Sequence, residues 1–434
     1  MTASGPFDVI VVGAGSAGPA AARTAAALGL RTALLEKARV PGEKNVSGTC
    51  LNTAALVDPD LHYLLDGPIE REIRSMRTYL VTEGRTTVIH EIPDRGILLL
   101  SIRRDRFDAW HAEQARAAGA DVRLGCSVVD VVEEAGSIRG VVTDAGERLA
   151  ARVVIDAGGV NSIVGRKAGL IERRSGTSMI LYATVAIHLG RRRIDKRFGD
   201  NIEYYLAPGC QHKVWPWVFP KRDVITLGTG GYMTADLVGE RAPSVNAYLQ
   251  KLMDLPVLRP RLEGGRIVSW GLHLEYDDET PRRARDGLIL TGEAGGFVIP
   301  FLGEGMPEAY FSGIYAARAA ARAIAAGDVS APALQAAYDE QLDANLFMKA
   351  FHHVGACNKA SILAKPDEEI AGLMQSVVMG GGFITNAVHT GWIAGADEGN
   401  LDKVREARDF LGLLQPYRSI GSDFDEVYAA RRRT

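Results

Sequence analysis

Hydrophobic and polar positions change their pattern twice along the chain. Phe7 to Val12 is a short apolar, β-branched run, as expected of a strand buried on both faces. Ala20 to Leu28 is alanine-rich and helical in character, and Gly29 ends it. Arg31 to Glu36 reads as a second strand, which makes a β-α-β unit long enough for a parallel crossover. Phe107 to Ala118 has helical spacing, Asp121 to Glu133 alternates as one strand does, and Ala151 to Ala157 is a further buried strand closed by Gly158 and Gly159. From about Ser175 to Val268 the segments become rich in Tyr, Trp, Val and Thr and are broken by Pro208-Gly209 and by glycines near Gly228 to Gly231, the pattern of an antiparallel sheet. Leu288 to Leu290 returns to buried strand, Met306 to Ala325 is a long alanine-rich helix, and the chain from Pro332 reads mainly helical.

A chain of 434 residues is too long for one ordinary core, so it is expected to hold two or three packed units. Its 50 basic and 53 acidic residues leave no global field to attract nucleic acid, and no nucleic-acid partner is expected. Cys50, Cys126, Cys210 and Cys357 lie far apart without a C-x-x-C pair, so neither a metal site nor an iron-sulfur site is predicted and a reducing cytoplasm is the expected compartment. Asp8, Arg23 and the central glycines argue against reading Phe7 to Leu30 as a membrane span. The stretch Ile370 to Ala396 carries no Asp, Glu, Lys or Arg, and a membrane-contacting or substrate-lining role is open to it. Gly380-Gly381-Gly382 favours a buried loop beneath the C-terminal helices over a spanning helix.

Gly13-Ala14-Gly15-Ser16-Ala17-Gly18 is a G-x-G-x-x-G run set directly between a predicted strand and a predicted helix. Its first glycine permits the turn, its second lets the backbone approach a pyrophosphate, and its third lets the helix pack on the strand. The amides at the helix start face the phosphate charge. Glu36 closes the second strand where a carboxylate accepts hydrogen bonds from a ribose. Near the other end of the chain, Leu288-Ile289-Leu290-Thr291-Gly292-Glu293 is followed by Gly303-Glu304-Gly305-Met306. This resembles the second FAD fingerprint of flavoprotein oxidoreductases, in which the acid, here Glu293, meets the ribityl chain and the next helix points its positive end at the flavin. Arg104 matches a third, cofactor-contacting element of that family.

Together these elements resemble the glutathione-reductase-type FAD family, which implies an α/β fold with an FAD-binding Rossmann domain, an antiparallel-sheet substrate domain and a helical C-terminal region. The expected bounds are 1–74, 100–174 and 282–330 for the FAD domain, 75–99 and 175–281 for the substrate domain, and 331–434 for the helical region. Pro41 to Leu51 is similar to the flavin-side segment of electron-transfer-flavoprotein:quinone oxidoreductases, making Asn45, Val46, Ser47 and Gly48 candidate cofactor contacts and Cys50 the candidate catalytic side chain. Lys37 and Val128 join the cofactor set. Tyr338 to Lys349 is similar to the cluster-free, nitrogen-fixation-type branch of that group. Trp215-Pro216-Trp217-Val218-Phe219-Pro220 resembles the aromatic signature of geranylgeranyl reductases, so Trp215, Trp217 and Phe219 are candidate substrate contacts, with ordinary aromatic core packing as the alternative. Two positions depart from the wider family: Gly158 stands where flavin hydroxylases carry an aspartate, and Glu293 stands where a shorter acid is usual.

The resemblance implies an FAD-dependent oxidoreductase that moves hydride or electrons between flavin and a hydrophobic small molecule, either an isoprenoid or polyene double bond or a quinone. The alternatives are a flavin monooxygenase, which Gly158 disfavours, and a module carrying electrons from a flavoprotein donor to quinone. An electron-transfer flavoprotein or a ferredoxin is the expected donor, with a peripheral membrane contact open. His188, His212, His352 and His353 qualify for proton transfer only if they reach the flavin.

Overall fold

The structure is a computed structural model and describes residues 5–82, 84–94, 96–171, 178–207, 209–210, 214, 216–233, 244–276, 280, 282–299, 304–345, 347–348 and 420–431. In chain order the strands are β1 (Phe7–Val12), β2 (Thr32–Glu36), β3 (Cys50–Asn52), β4 (Ile69–Ile73), β5 (Ser75–Thr82), β6 (Arg85–Ile92), β7 (Leu99–Ile102), β8 (Asp121–Leu124) and β9 (Val128–Glu134). They continue as β10 (Ser137–Thr143), β11 (Arg148–Asp156), β12 (Met179–His188), β13 (Asn201–Leu206), β14 (Trp217–Pro220), β15 (Val224–Tyr232), β16 (Arg266–Tyr276), β17 (Ala284–Arg285) and β18 (Leu288–Leu290).

The first sheet runs β17-β18-β11-β1-β2-β8, with the hairpin β9-β10 joined to β11. From β18 to β8 all pairs are parallel, and β1 sits between β2 and β11. β1 therefore marks the point where successive connections leave in opposite directions, and ligands of open α/β sheets bind beyond the carboxyl ends of strands at such a point. The crossover helix Ala17–Ala27 and the long helix Met306–Ala326 cover one face of this sheet. They meet at Gly313, where a Cβ would stand 2.3 Å from the Ala17 carbonyl oxygen, so only glycine allows this approach. That contact draws the two predicted FAD fingerprints together.

The second sheet runs β16-β12-β15-β14-β13-β5-β6 and packs the helix Val245–Met253 into its own core. It differs from a fully antiparallel sheet in one pair, since β13 runs parallel to β5. β5 and β6 come from a hairpin far earlier in the chain, so no tight turn dictates their direction against β13. The alternating run Asp121 to Glu133 is likewise two strands, β8 and β9, parted by a turn in which Gly125 takes φ 69°. A third sheet, β3-β7-β4, connects the other two. Ser101 Oγ donates to the Pro220 carbonyl at 2.9 Å, and the Arg71 guanidinium donates to the Lys221 carbonyl at 3.0 Å. Among the described residues no helix is long and apolar enough to cross a membrane. The stretch Ile370 to Ala396 lies outside them.

Candidate functional site

The turn after β1 is held by backbone, and its three glycines differ in what surrounds them. Gly13 takes φ 100°, and a Cβ there would meet the Ala157 carbonyl oxygen at 2.5 Å. A Cβ on Gly18 would meet the Gly13 carbonyl oxygen at 1.8 Å, whereas one on Gly15 would have nothing within 4 Å. Gly13 and Gly18 thus serve the fold, and the side of the turn at Gly15 is left clear of protein. Ser16 and Ala17 open the helix that follows. Glu36 receives the Ala14 amide at 2.6 Å on one oxygen and the Ala38 amide at 2.7 Å on the other, so its carboxylate is locked at the edge of the turn. Lys37, beside it, is exposed, and Val128 is buried at the start of β9.

The second fingerprint lies directly against the first. Gly292 takes φ 57°, and a Cβ there would come within 2.9 Å of the Ala17 Cβ. Glu293 accepts the Tyr276 amide at 2.8 Å and so ties β16 to the first sheet. Gly305 is the N-cap of the long helix and Met306 its first residue. Arg104 begins the helix Arg104–Ala117 and donates to both carboxylate oxygens of Asp108, at 2.7 and 2.9 Å. Its carbonyl oxygen would lie 2.3 Å from a Cβ on Gly42, which takes φ 76°, so the segment from Pro41 is pinned onto this helix. Asn45 in that segment has its Oδ1 buried with no hydrogen-bond partner among the described residues. A clear flank at Gly15, a locked acid at Glu36 and an unmatched buried acceptor at Asn45 fit a dinucleotide carrying a polar ring system.

The aromatic segment and the segment Asn45 to Cys50 are in contact. A Cβ on Gly48 would stand 2.5 Å from the Trp217 indole and 2.9 Å from the Phe219 ring, and one on Gly228 would stand 2.0 Å from the indole's other edge. The half-buried Trp217 is therefore clasped between two glycines and packs on Phe219 at 5.2 Å, and Phe219 meets Tyr204 edge-on at 5.6 Å. Cys50 and Tyr204 pack into the same small cluster. Burial pushes the Cys50 thiol up, with the Lys221 ammonium opposing, so the thiol keeps its proton at neutral pH. Val46 lies against β16, 3.5 Å from where a Cβ of Gly271 would stand, and Ser47 and Thr49 share a hydroxyl hydrogen bond.

Several residues here carry no local sequence signal. Lys221 is fully buried, donates from Nζ to the Thr49 carbonyl at 2.8 Å and fixes the strand that holds Cys50. Asp156, fully buried at the end of β11, accepts from Ser162 Oγ at 2.6 Å, from the Gly165 amide at 2.7 Å and from the Gly158 amide at 2.8 Å. A Cβ on Gly158 would come 2.8 Å from that carboxylate, so an aspartate there would crowd Asp156. Glu304 and Glu308 lie at the start of the long helix, and their burial depends on the packing around it. His188 lies at the end of β12, paired with Val224, with its exposed ring 3.6 Å from Asp223. Trp215, Gly303, Lys349, His212, His352, His353 and Cys357 lie outside the described residues.

The family model for FAD-dependent oxidoreductases matches residues 8–178, and that for tryptophan halogenase matches residues 100–350. A probable electron transfer flavoprotein-quinone oxidoreductase, YgcN of Escherichia coli K12, is 30% identical over 297 residues, which cover 66% of this chain and 69% of the relative. The chain belongs to the FAD-dependent oxidoreductases. Protein FixC of Salmonella typhi is 29% identical over 78% of this flavoprotein and 81% of FixC. Among solved structures, a geranylgeranyl bacteriochlorophyll reductase-like protein from Thermoplasma acidophilum superimposes with a TM-score of 0.77 at 25% identity, covering 93% of this chain and 99% of that one. FAD is the cofactor of this enzyme family.

Proposed function

We propose that this oxidoreductase accepts electrons from a protein donor of the electron-transfer-flavoprotein type and passes them to a hydrophobic quinone. The observation that carries this reading is the contact of Trp217 and Phe219 with Gly48, which sets an apolar aromatic wall against the segment assigned to the flavin side. Such a wall favours a large apolar acceptor by about 25 cal/mol per Å² of apolar surface buried, and a small polar substrate gains little from it. The relative named as a probable electron transfer flavoprotein-quinone oxidoreductase supports the same donor and acceptor class.

Bound FAD supplies a carrier that takes up two electrons and releases them singly or as hydride. The chain's own residues do the rest. The Gly13 to Gly18 turn and the start of its helix, with Gly15, Ser16 and Ala17, would hold the pyrophosphate, and Glu36 would take the adenosine ribose. Glu293 and the segment Asn45 to Gly48 would hold the other end, and Gly305 with Met306 would present the positive end of the long helix to it. Cys50, protonated, would stand beside the acceptor in the cluster it forms with Tyr204 and Phe219.

The test is anaerobic. Protein reduced chemically is mixed with a short-chain quinone while flavin absorbance is followed, and in a second arm oxidised protein is mixed with a reduced electron-transfer flavoprotein. Rapid bleaching in the second arm and recovery of colour in the first are expected; a reduced flavin that quinone cannot reoxidise refutes the assignment. A second reading, saturation of an isoprenoid double bond, is favoured by Trp217-Val218-Phe219-Pro220 and by the bacteriochlorophyll reductase-like neighbour. Mass gain of a geranylgeranyl lipid incubated with reduced enzyme decides for it.

A further inference from the structure

Among the described residues, β16 forms one edge of the second sheet and β6 the other. The two edges are built differently. β6 reads Arg85-Thr86-Thr87-Val88-Ile89-His90-Glu91-Ile92, and its polar and charged positions are the usual means of keeping an edge from pairing with another chain. β16 has no Lys, Arg, Asp or Glu between Arg266 and Glu275. Within that span Ile267, Val268, Trp270 and Leu272 are 57%, 41%, 51% and 47% exposed. A long, apolar, exposed edge is a template for another strand.

The register decides which side of the sheet these residues occupy, because directly opposed residues of an antiparallel pair share a face. Ile267 opposes Ile187, Trp270 opposes Val185 and Leu272 opposes Ala183, and all three partners belong to the core beneath the helix Val245–Met253. Simple alternation would send Ile267 and Trp270 to opposite faces. Instead Ile267 pairs with Ile187 and Ser269 with Ala186, so Val268 is an extra residue that resets the alternation. The helix lies over β15 and β12, and the apolar face continues past it, over the edge strand and out to solvent.

Charge is divided between the two ends of the same strand. The helix Arg191–Arg197 packs on the turn that leads into Arg266: Arg197 donates to the Glu263 carbonyl at 2.7 Å, and the Arg193 guanidinium would lie 3.8 Å from a Cβ on Gly264. Arg191, Arg192, Arg193 and Lys196 are exposed there. Directly after the other end of β16 the sequence reads Asp277-Asp278-Glu279.

We infer that β16 is the pairing edge of a homodimer, adding antiparallel to β16 of a second copy about a two-fold axis. Pairing centred on Gly271 sets Trp270 against the partner's Leu272, and the two-fold repeats that contact. It also brings the basic start of each strand to the acidic end of the other, so the surface is complementary to itself. A lipid surface fits less well, because hydrocarbon leaves the N–H and C=O groups of an open sheet edge unsatisfied, whereas a second strand satisfies them.

The experiment follows the FAD-loaded full chain by sedimentation across the micromolar range for wild type, W270K, L272K and V88K, with melting temperature and flavin content measured on the same preparations. Wild type is expected to be a dimer. W270K and L272K should each raise the dimer dissociation constant by about 10²-fold or more, since the substitution enters the contact twice, and should leave flavin content and monomer melting unaltered. V88K changes an exposed residue on the opposite edge and should sediment as wild type. Amide exchange adds a readout that packing of faces alone would not move: exchange over residues 266–276 should slow as wild-type concentration rises and stay fast in W270K. A monomeric wild type overturns the inference. If W270K then melts early, a segment of the same chain covers the stripe; if the wild-type monomer sediments with vesicles of anionic phospholipid, the occupant is a bilayer. A dimer that V88K dissociates and W270K does not, or one without concentration-dependent exchange in β16, overturns it equally.

Discussion

Replacing Gly15 separates cofactor binding from folding, because the turn's glycines are constrained by different things. A Cβ at Gly15 meets no protein atom within 4 Å, and its φ is not among the positive values that penalise a side chain. Gly15→Ala should therefore leave the apoprotein intact or stabilise it by about 0.4–1 kcal/mol through the unfolded chain. With FAD bound, the methyl group occupies the flank assigned to the pyrophosphate, and overpacking of about 1–3 kcal/mol weakens binding by about 5- to 150-fold. Gly15→Val should reach the upper end and purify nearly colourless. Gly18→Ala is the contrasting control: its Cβ would lie 1.8 Å from the Gly13 carbonyl oxygen, backbone that cannot move aside, so the apoprotein itself should melt early. The assays are calorimetric FAD titration and thermal melting of apoprotein on the same preparations. Wild-type FAD affinity in Gly15→Val, or an apoprotein destabilised as far as Gly18→Ala, refutes the division of roles.

Gly228→Ala would place a methyl 2.0 Å from the Trp217 indole and force the ring off its seat. The expected result is a rise of about tenfold in KM for quinone, equivalent to ~1.4 kcal/mol, with FAD content unchanged; a lowered melting temperature with unaltered KM would make Trp217 purely structural. His111 is fully buried, shares a 2.8 Å hydrogen bond with the Tyr63 hydroxyl and is held down to about 3, chiefly by burial, with His273 held down to about 4 for the same reason. Both bind protons more readily unfolded than folded below about 6.5, so stability should fall as pH drops from there toward about 4, by up to about 1.4 kcal/mol per pH unit for each. Urea midpoints across that range should show the slope, and His111→Gln should reduce it; an unchanged slope would mean that His111 is already charged in the folded protein.

What the sequence determined by itself is the part of the protein built from short-range constraints. Phe7 to Val12 is apolar at every position but Asp8, Gly13 must turn with positive φ, and Glu36 must end a strand beside that turn. These demands lie within one β-α-β unit, so periodicity and spacing expose them, and the strand before Gly292-Glu293 is legible for the same reason. The tertiary structure alone decided the rest. Nothing local makes β13 run parallel to β5, because the chain between them is long and either direction satisfies the alternation of each strand. Gly228 reads as a break between strands, yet it lies within β15, and Trp217 sits between it and Gly48. Nothing local marks Lys221 or Glu308 for burial, and only the packing of distant sheets and the long helix removes water from them. A charged side chain's chemistry depends on the solvent and partners around it, and residues distant in sequence supply both. The turn and its locked acid could therefore be read from the chain, while the burial of Lys221 and Glu308 appears only once the chain is folded.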